Sequence, residues 1–263
     1  MEQDEQDDLV DLFVQERGSD DPNAPFVVLV HGVLDSSASF DGVVERLPDY
    51  RVLTYDRRGY GRSIGRRSPR LTMRQHADDL LDLIGDRRVT VVGHSMGGNV
   101  AMVAAAVRPD RVAAVAGYEV HAGWMDCWDP ETQRGMLVTA NDPDSDAIGE
   151  SSFRRSYGDE RWEALTDEER TRRRAEGASF QADLASGWDT QFAFRRAAVP
   201  TLMGCGERSP GFFVAATRQL AKDLPATYVE IEGARHGVHI TKPDAFADLV
   251  RETVALASGG IAD

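Results

Sequence analysis

Long apolar runs, cysteine and excess positive charge are scarce in this chain of 263 residues. No apolar run approaches the roughly 18 residues that a membrane-spanning helix needs, which sets a bilayer span aside. The segment Met1 to Asp8 is rich in Glu and Asp, where a secretory signal would carry positive charge and then an apolar stretch. It reads as a solvated tail. The two cysteines, Cys127 and Cys205, lie far apart and match no metal-ligand spacing. They are expected to be reduced thiols of a cytoplasmic protein, because disulfide frameworks belong mainly to small secreted chains. The formal net charge of −14 repels nucleic acid and anionic membranes, so neither is expected as a partner. Internal repeats are absent as well.

What is there is an ordinary globular composition, 41% hydrophobic and 28% charged, in a chain long enough for one large α/β domain with a modest insertion. Apolar runs bounded by Gly, Pro or polar residues read as buried strands: Phe26 to Val30, Arg51 to Tyr55, Arg88 to Val92, Val112 to Ala116, Pro200 to Met203 and Tyr228 to Ile231. Helical spacing falls between them, at Met73 to Ile84 behind a Thr72 N-cap, Asn99 to Val107, Phe212 to Leu224 and Pro243 to Leu256. This alternation predicts an α/β fold with a mostly parallel, doubly wound sheet and chemistry at the carboxyl ends of its strands.

From about His121 to Ala198 the alternation stops. Short helical stretches broken by Pro and Gly hold all four tryptophans, Trp124, Trp128, Trp162 and Trp188. The segment 121–198 is expected to form a helical cap inserted into a core made of 1–120 and 199–263. Its aromatics build a small core of their own, and Trp124, Trp128, Phe153 and Trp188 are candidates to line an apolar substrate pocket. The run Arg170 to Arg174 after Asp167, Glu168 and Glu169 reads as a solvated helix face with pairs such as Glu169 and Arg173.

The segment from Gly93 to Gly98 reads G-H-S-M-G-G between a predicted strand and a predicted helix. That is the context of a nucleophile elbow, in which small flanking residues allow a tight turn and the serine, here Ser95, projects at the helix N-terminus. The backbone N–H of Met96, the next residue, is then one oxyanion donor. A serine hydroxyl is a poor nucleophile near neutral pH and needs a base, for which histidine is suited. Of six histidines, His31 and His94 are expected to shape turns, His76 to lie on a helix surface and His121 at the entry to the cap. His236 and His239 remain.

Taken together, these motifs resemble the α/β-hydrolase superfamily over nearly the whole chain. His31-Gly32 after the first buried strand is similar to its oxyanion loop, the run D-R-R-G-Y-G-R-S from Asp56 to Ser63 to its D-x-R-G-x-G-x-S turn, and G-A-R-H from Gly233 to His236 to its catalytic-histidine loop. The resemblance implies Val33 N–H as the second oxyanion donor and His236 as the base, with Arg235 where Gly is usual. It also implies an acid in a G-x-x-D setting, but Ser209 stands at that Asp position. Glu119 is the leading substitute, because haloalkane dehalogenases of the superfamily carry their acid one strand earlier. Glu207, a cap residue such as Asp126 or Asp129, or a dyad without an acid remain open. Ser95 stands where epoxide- and carbon–halogen-cleaving relatives use aspartate, so both reactions are rejected. The expected function is hydrolysis of a small or medium carboxylic ester, lactone or thioester through an acyl-enzyme. Alternatives are carbon–carbon hydrolysis on the same machinery, a non-hydrolytic ligand-binding protein, or a lyase or cyclase on the same fold. No metal or organic cofactor is implied, the partner is a small-molecule substrate, and a homodimer through the cap or the last strand is left open.

Overall fold

The β-branched runs become strands because their side chains are buried on both faces, an environment that a helix with one apolar stripe does not use. A computed structural model describes residues 12–66, 71–196 and 198–259; the acidic segment Met1 to Asp8 lies outside them. Seven strands form one sheet: β1 (Val14–Gly18), β2 (Phe26–Val30), β3 (Arg51–Tyr55), β4 (Val89–His94), β5 (Val112–Tyr118), β6 (Thr201–Gly206) and β7 (Thr227–Ile231), in the order β1-β3-β2-β4-β5-β6-β7. β1 is antiparallel to β3 and the remaining pairs are parallel. β4 and β6 are buried at every position, whereas the edge strands β1 and β7 are partly exposed. The sequence reading missed β1. Its V-Q-E-R-G run carries charge on the exposed face of an edge strand and has no continuous apolar stretch.

Two apolar layers cover the sheet. One packs the helices Met73–Ile84 and Met96–Val107 through Leu80, Ile84, Val100 and Met102; the other packs Phe40, Val43, Phe246 and Leu249. Thr72 caps the first of these helices, accepting from Gln75 N–H at 3.1 Å. Among the described residues no helix is long and apolar enough to cross a membrane.

Between β5 and β6 the chain runs through the helices Pro130–Ala140, Ser145–Tyr157, Asp159–Glu163, Asp167–Ala175, Gly177–Gly187 and Gln191–Arg196. This helical insertion buries Trp128, Phe153 and Trp162, yet Pro130–Ala140 and Asp167–Ala175 bury no residue at all. In the second of these, Glu169 is taken up by a capping box with Thr166, and Arg173 pairs with Glu176 at 2.8 Å. The expected Glu169–Arg173 pair therefore does not form: the N-terminal N–H groups of the helix claim Glu169 first.

The strand order places the functional loops side by side. β2 and β4 are neighbours with Val30 opposite Gly93, so the loop after β2 meets the turn after β4 where the sheet's connections reverse direction. Tyr118 of β5 lies opposite His94 on one side and Gly204 on the other, and Gly206 of β6 lies opposite Ile231 of β7.

Candidate active site

Ser95 occupies the turn between β4 and the helix Met96–Val107 with φ +53° and ψ −125°. A non-glycine residue held there costs on the order of 1–3 kcal/mol, which the packed strand and helix on either side must offset. The turn closes only because its flanks are small. A Cβ on Gly93 would sit 2.2 Å from the Gly97 carbonyl oxygen, and one on Gly97 would sit 2.1 Å from that of Val30. Ser95 N–H donates to Tyr118 O at 2.9 Å, tying the elbow to β5. Among the described residues, neither Met96 N–H nor Val33 N–H donates to a protein acceptor, so both remain available to a ligand.

Glu119 directly follows β5, fully buried and with φ +47°. Its N–H donates to Gly204 O at 2.8 Å. One carboxylate oxygen, Oε1, accepts from Gly206 N–H at 2.8 Å and from the hydroxyl of Ser209. The other, Oε2, accepts from His236 Nδ1 at 2.7 Å. Serine at the position where an aspartate is usual therefore acts as a donor to the carboxylate that touches the histidine. Glu207 turns elsewhere, accepting from Gly233 N–H at 2.7 Å.

The loop carrying His236 is pinned from several sides. His94 Nε2 donates to His236 O at 2.7 Å, Tyr118 OH donates to Arg235 O at 3.0 Å, and Arg208 N–H donates to Ala234 O at 2.9 Å. Phe213 stacks on the His236 ring at 4.8 Å with planes 13° apart. Arg235 thus contributes its carbonyl, while its side chain is exposed. Ser95 retains 7% of its surface and the His236 side chain 39%. No hydrogen bond joins the two side chains among the described contacts, and in ligand-free sites of this kind that bond is often long and tightens on the substrate.

Three residues emerge that sequence reasoning gave lesser parts. His94 holds the backbone of His236 besides shaping the elbow; burial, then the neighbouring His239 and His236, keeps it neutral, with its pKa well below the usual value. His76, expected at the surface, is buried and donates to Asp183 Oδ1 at 3.0 Å. A helical spacing shows which face a residue shares, but only the seating of the helix Gly177–Gly187 on that face buries it. Asn99 joins the helix Met96–Val107 to both ends of the insertion: its Nδ2 donates to His121 O and Thr190 Oγ1 and its Oδ1 accepts from His121 N–H, at 2.8, 2.9 and 3.0 Å.

Asp35, His94 and His239 form a buried group whose potential metal-ligand atoms lie within 4.8 Å of one another. His239 Nε2 donates to Asp35 Oδ2 at 3.3 Å, so two of the three satisfy each other without an ion. Burial raises the Asp35 pKa, but the His239 hydrogen bond and the charges of nearby histidines outweigh it and hold this carboxyl below its usual range.

The four candidate pocket aromatics do not meet in one cavity. Trp124 packs on Phe194 and lines a cavity of about 650 Å³ with Cys127, Arg195 and Leu220. Phe153 lines another of about 420 Å³ with Leu34, Asp35, Tyr157 and His239. Trp128 is buried against Phe212, Phe213 and His121, and Trp188 meets His121 edge-on at 6.5 Å. Ser95 and His236 line neither cavity.

Residues 25–243 match the family model of the α/β hydrolase fold, and the chain belongs to that family. Among curated relatives, Lipase LipV of Mycobacterium tuberculosis is 40% identical over 109 residues, 41% of each chain. The putative carbamate hydrolase RutD of Caulobacter vibrioides is 38% identical over 106 residues, 37% of each. The chain thus spans about two fifths of the length of these relatives. Among solved structures, the enol-lactonase from Burkholderia xenovorans LB400 superposes with a TM-score of 0.71 at 26% identity, covering 93% of this chain and 96% of that one.

Proposed function

We propose that the protein is a serine hydrolase of a small or medium carboxylic ester, lactone or thioester, with Ser95 as nucleophile, His236 as base and Glu119 as the acid that orients it. The observation that carries this reading is the 2.7 Å contact between Glu119 Oε2 and His236 Nδ1. That bond fixes the tautomer with Nε2 free to accept the serine proton and stabilises the imidazolium that results. Ser95 Oγ attacks the carbonyl carbon, and the proton passes to His236. Val33 and Met96 N–H groups receive the oxyanion. Collapse expels the alcohol or thiol, which takes the proton back from His236. Water, deprotonated by the same histidine, then releases the acid. The helical insertion serves as a cap over the nucleophile, with Trp128 and Trp188 packed about His121 at its entry. The relatives' names, a lipase, a putative carbamate hydrolase and an enol-lactonase, agree with hydrolysis.

Serine at position 209 is the main sequence support for a ligand-binding protein without catalysis. The Glu119 contact weighs against that reading, because the histidine has its carboxylate from the neighbouring strand. The free thiols of Cys127 and Cys205 support a reducing, cytoplasmic location. The test is intact-mass analysis after a fluorophosphonate. One adduct on wild type and none on Ser95→Ala supports the reading, and folded wild type without an adduct overturns it.

A further inference from the structure

The loop after β2 must present one N–H to the oxyanion, and its geometry is held from outside. In a trans peptide the C=O and the following N–H lie in one plane and point in opposite directions. The plane that carries Val33 N–H carries Gly32 C=O, and that oxygen is fixed twice: by Arg57 Nη2 at 2.9 Å and by His31 Nδ1 at 2.8 Å. Arg57 Nε also holds His31 O at 2.9 Å. On the far side of Val33, Leu34 sits at φ +51°, a conformation leucine avoids unless its surroundings impose it. Its carbonyl accepts from Tyr157 OH and Arg173 Nη1, both at 3.4 Å.

Both arginines are answered by acids of the helical insertion. Arg57 is fully buried, and its ion-pair partner is Asp183, Nη2 to Oδ2 at 2.8 Å. Asp183, fully buried too, also accepts from Tyr60 OH at 2.8 Å and from His76. Burial opposes its charge, but Arg57 and then His76 overcome that and hold its pKa below the usual value. Arg173 is paired with buried Glu176, which also accepts Gly61 N–H at 3.0 Å. A buried charge left without its partner is strongly unfavourable, so Arg57 can remain on the loop carbonyls only while Asp183 is seated beside it.

We propose that Asp183 and Glu176 are positioning residues of the oxyanion hole: through Arg57 they fix the Gly32–Val33 peptide plane, and through Arg173 the Leu34–Asp35 plane one residue beyond Val33, so that the seated insertion and the assembled oxyanion hole are one state of the molecule. This rests on the acyl-transfer reading above. It assigns the insertion a part in catalysis at a distance from the reacting atoms, beyond covering the substrate.

The experiment follows the rate at which a fluorophosphonate labels Ser95, since the phosphonyl oxygen occupies the oxyanion hole as phosphorus bonds to Oγ and fluoride leaves. Wild type, Asp183→Asn, Glu176→Gln and Tyr157→Phe are compared at a temperature where circular dichroism shows each folded, and rates are followed across pH. A misplacement of about 1 Å can cost on the order of 10²-fold. Asp183→Asn is therefore expected to slow labelling about 10- to 100-fold, Glu176→Gln about 10-fold and Tyr157→Phe about 3-fold. The pH midpoint of labelling should stay where it is in wild type. If Asp183→Asn does not fold, Glu176→Gln alone decides. Folded acid variants that label within about threefold of wild type would overturn the proposal, as would slowing accompanied by a displaced midpoint, which would put the effect on the base. Wild type that takes no label would bring down the acyl-transfer reading and this proposal with it, whereas equal labelling of wild type and variants brings down the clamp alone.

Discussion

The end of the sheet and the helical insertion are held by different forces. β4 and β6 are dry on both faces, and the loops that follow them are fixed by strand register. Ser95 after β4 and Glu119 after β5 thereby inherit their positions from the backbone ladder, to which the loop of His236 is tied by His94, Tyr118 and Arg208. The insertion rests partly on apolar packing, but two of its helices bury nothing. Single polar contacts set its seat: Asp183 on Arg57 and His76, Glu176 on Gly61, and Thr190 on Asn99. Hydrophobic burial is non-directional and tolerates small shifts, whereas a buried ion pair requires one geometry. Residues placed by the first kind of support are legible from pattern; the seat of an insertion held by the second kind is not.

That contrast can be broken most sharply at the nucleophile. Ser95→Ala and His236→Ala should each lower kcat by on the order of 10⁶ on any ester or lactone that wild type hydrolyses. Near-normal turnover by Ser95→Ala would refute nucleophilic catalysis. Next is the acid. Glu119→Gln should lower kcat by about 10⁴, as neutralising a triad acid does, while Glu207→Gln changes little. Because Ser209 already touches the Glu119 carboxylate, adding Ser209→Asp to Glu119→Gln should recover part of the loss. A Glu119→Gln enzyme within about tenfold of wild type would remove Glu119 from the triad.

Stability separates the two regions as well. Phe246, fully buried beneath the sheet, should cost about 3–5 kcal/mol as Phe246→Ala. Val138, 63% exposed on an insertion helix, should cost less than about 0.5 kcal/mol as Val138→Ala. Chemical denaturation reads both, and equal costs would mean that the insertion helix packs against something in solution.

Acid should loosen both regions through buried histidines. His31 and His121 are lowered to about 4, first by burial, while an unfolded histidine titrates near 6.5. Between those values the unfolded chain binds more protons, so stability is lost as pH falls from about 6.5 toward 4. His31 Nε2 accepts Arg57 N–H at 2.8 Å, a bond that protonation would end. Melting temperature should be level above about pH 7.5 and fall steadily below about 6.5; a level curve down to about pH 4.5 would contradict the burial of these rings. The smallest effect belongs to Arg235→Gly, which restores the usual family residue. Its carbonyl, not its exposed side chain, is the part held by Tyr118, so kcat/KM should stay within about threefold.

The fold was readable from the chain because period and composition act locally. Six of the strands and the Thr72 cap follow from apolar runs and one hydroxyl in place. The edge strand β1 escaped because half its residues face water, and His76 was misread because burial depends on what lands on a helix face. The turn of Ser95, the loop of His236 and the loop after β2 were legible as motifs, since a strained turn admits few residue types. Glu119 was legible only as the better of several candidates, its distance to His236 being a matter of three strands in register.

By itself, then, the sequence determined an α/β sheet with a serine elbow between a buried strand and a helix, because a buried strand and a tight glycine turn leave little choice of residue. Tertiary structure alone decided that Glu119 touches His236, that Ser209 donates to Glu119, and that Asp183 and Glu176 lean on the loop after β2 through Arg57 and Arg173. Those contacts join residues as much as 139 positions apart, and no local preference of the chain can specify where two such distant groups meet.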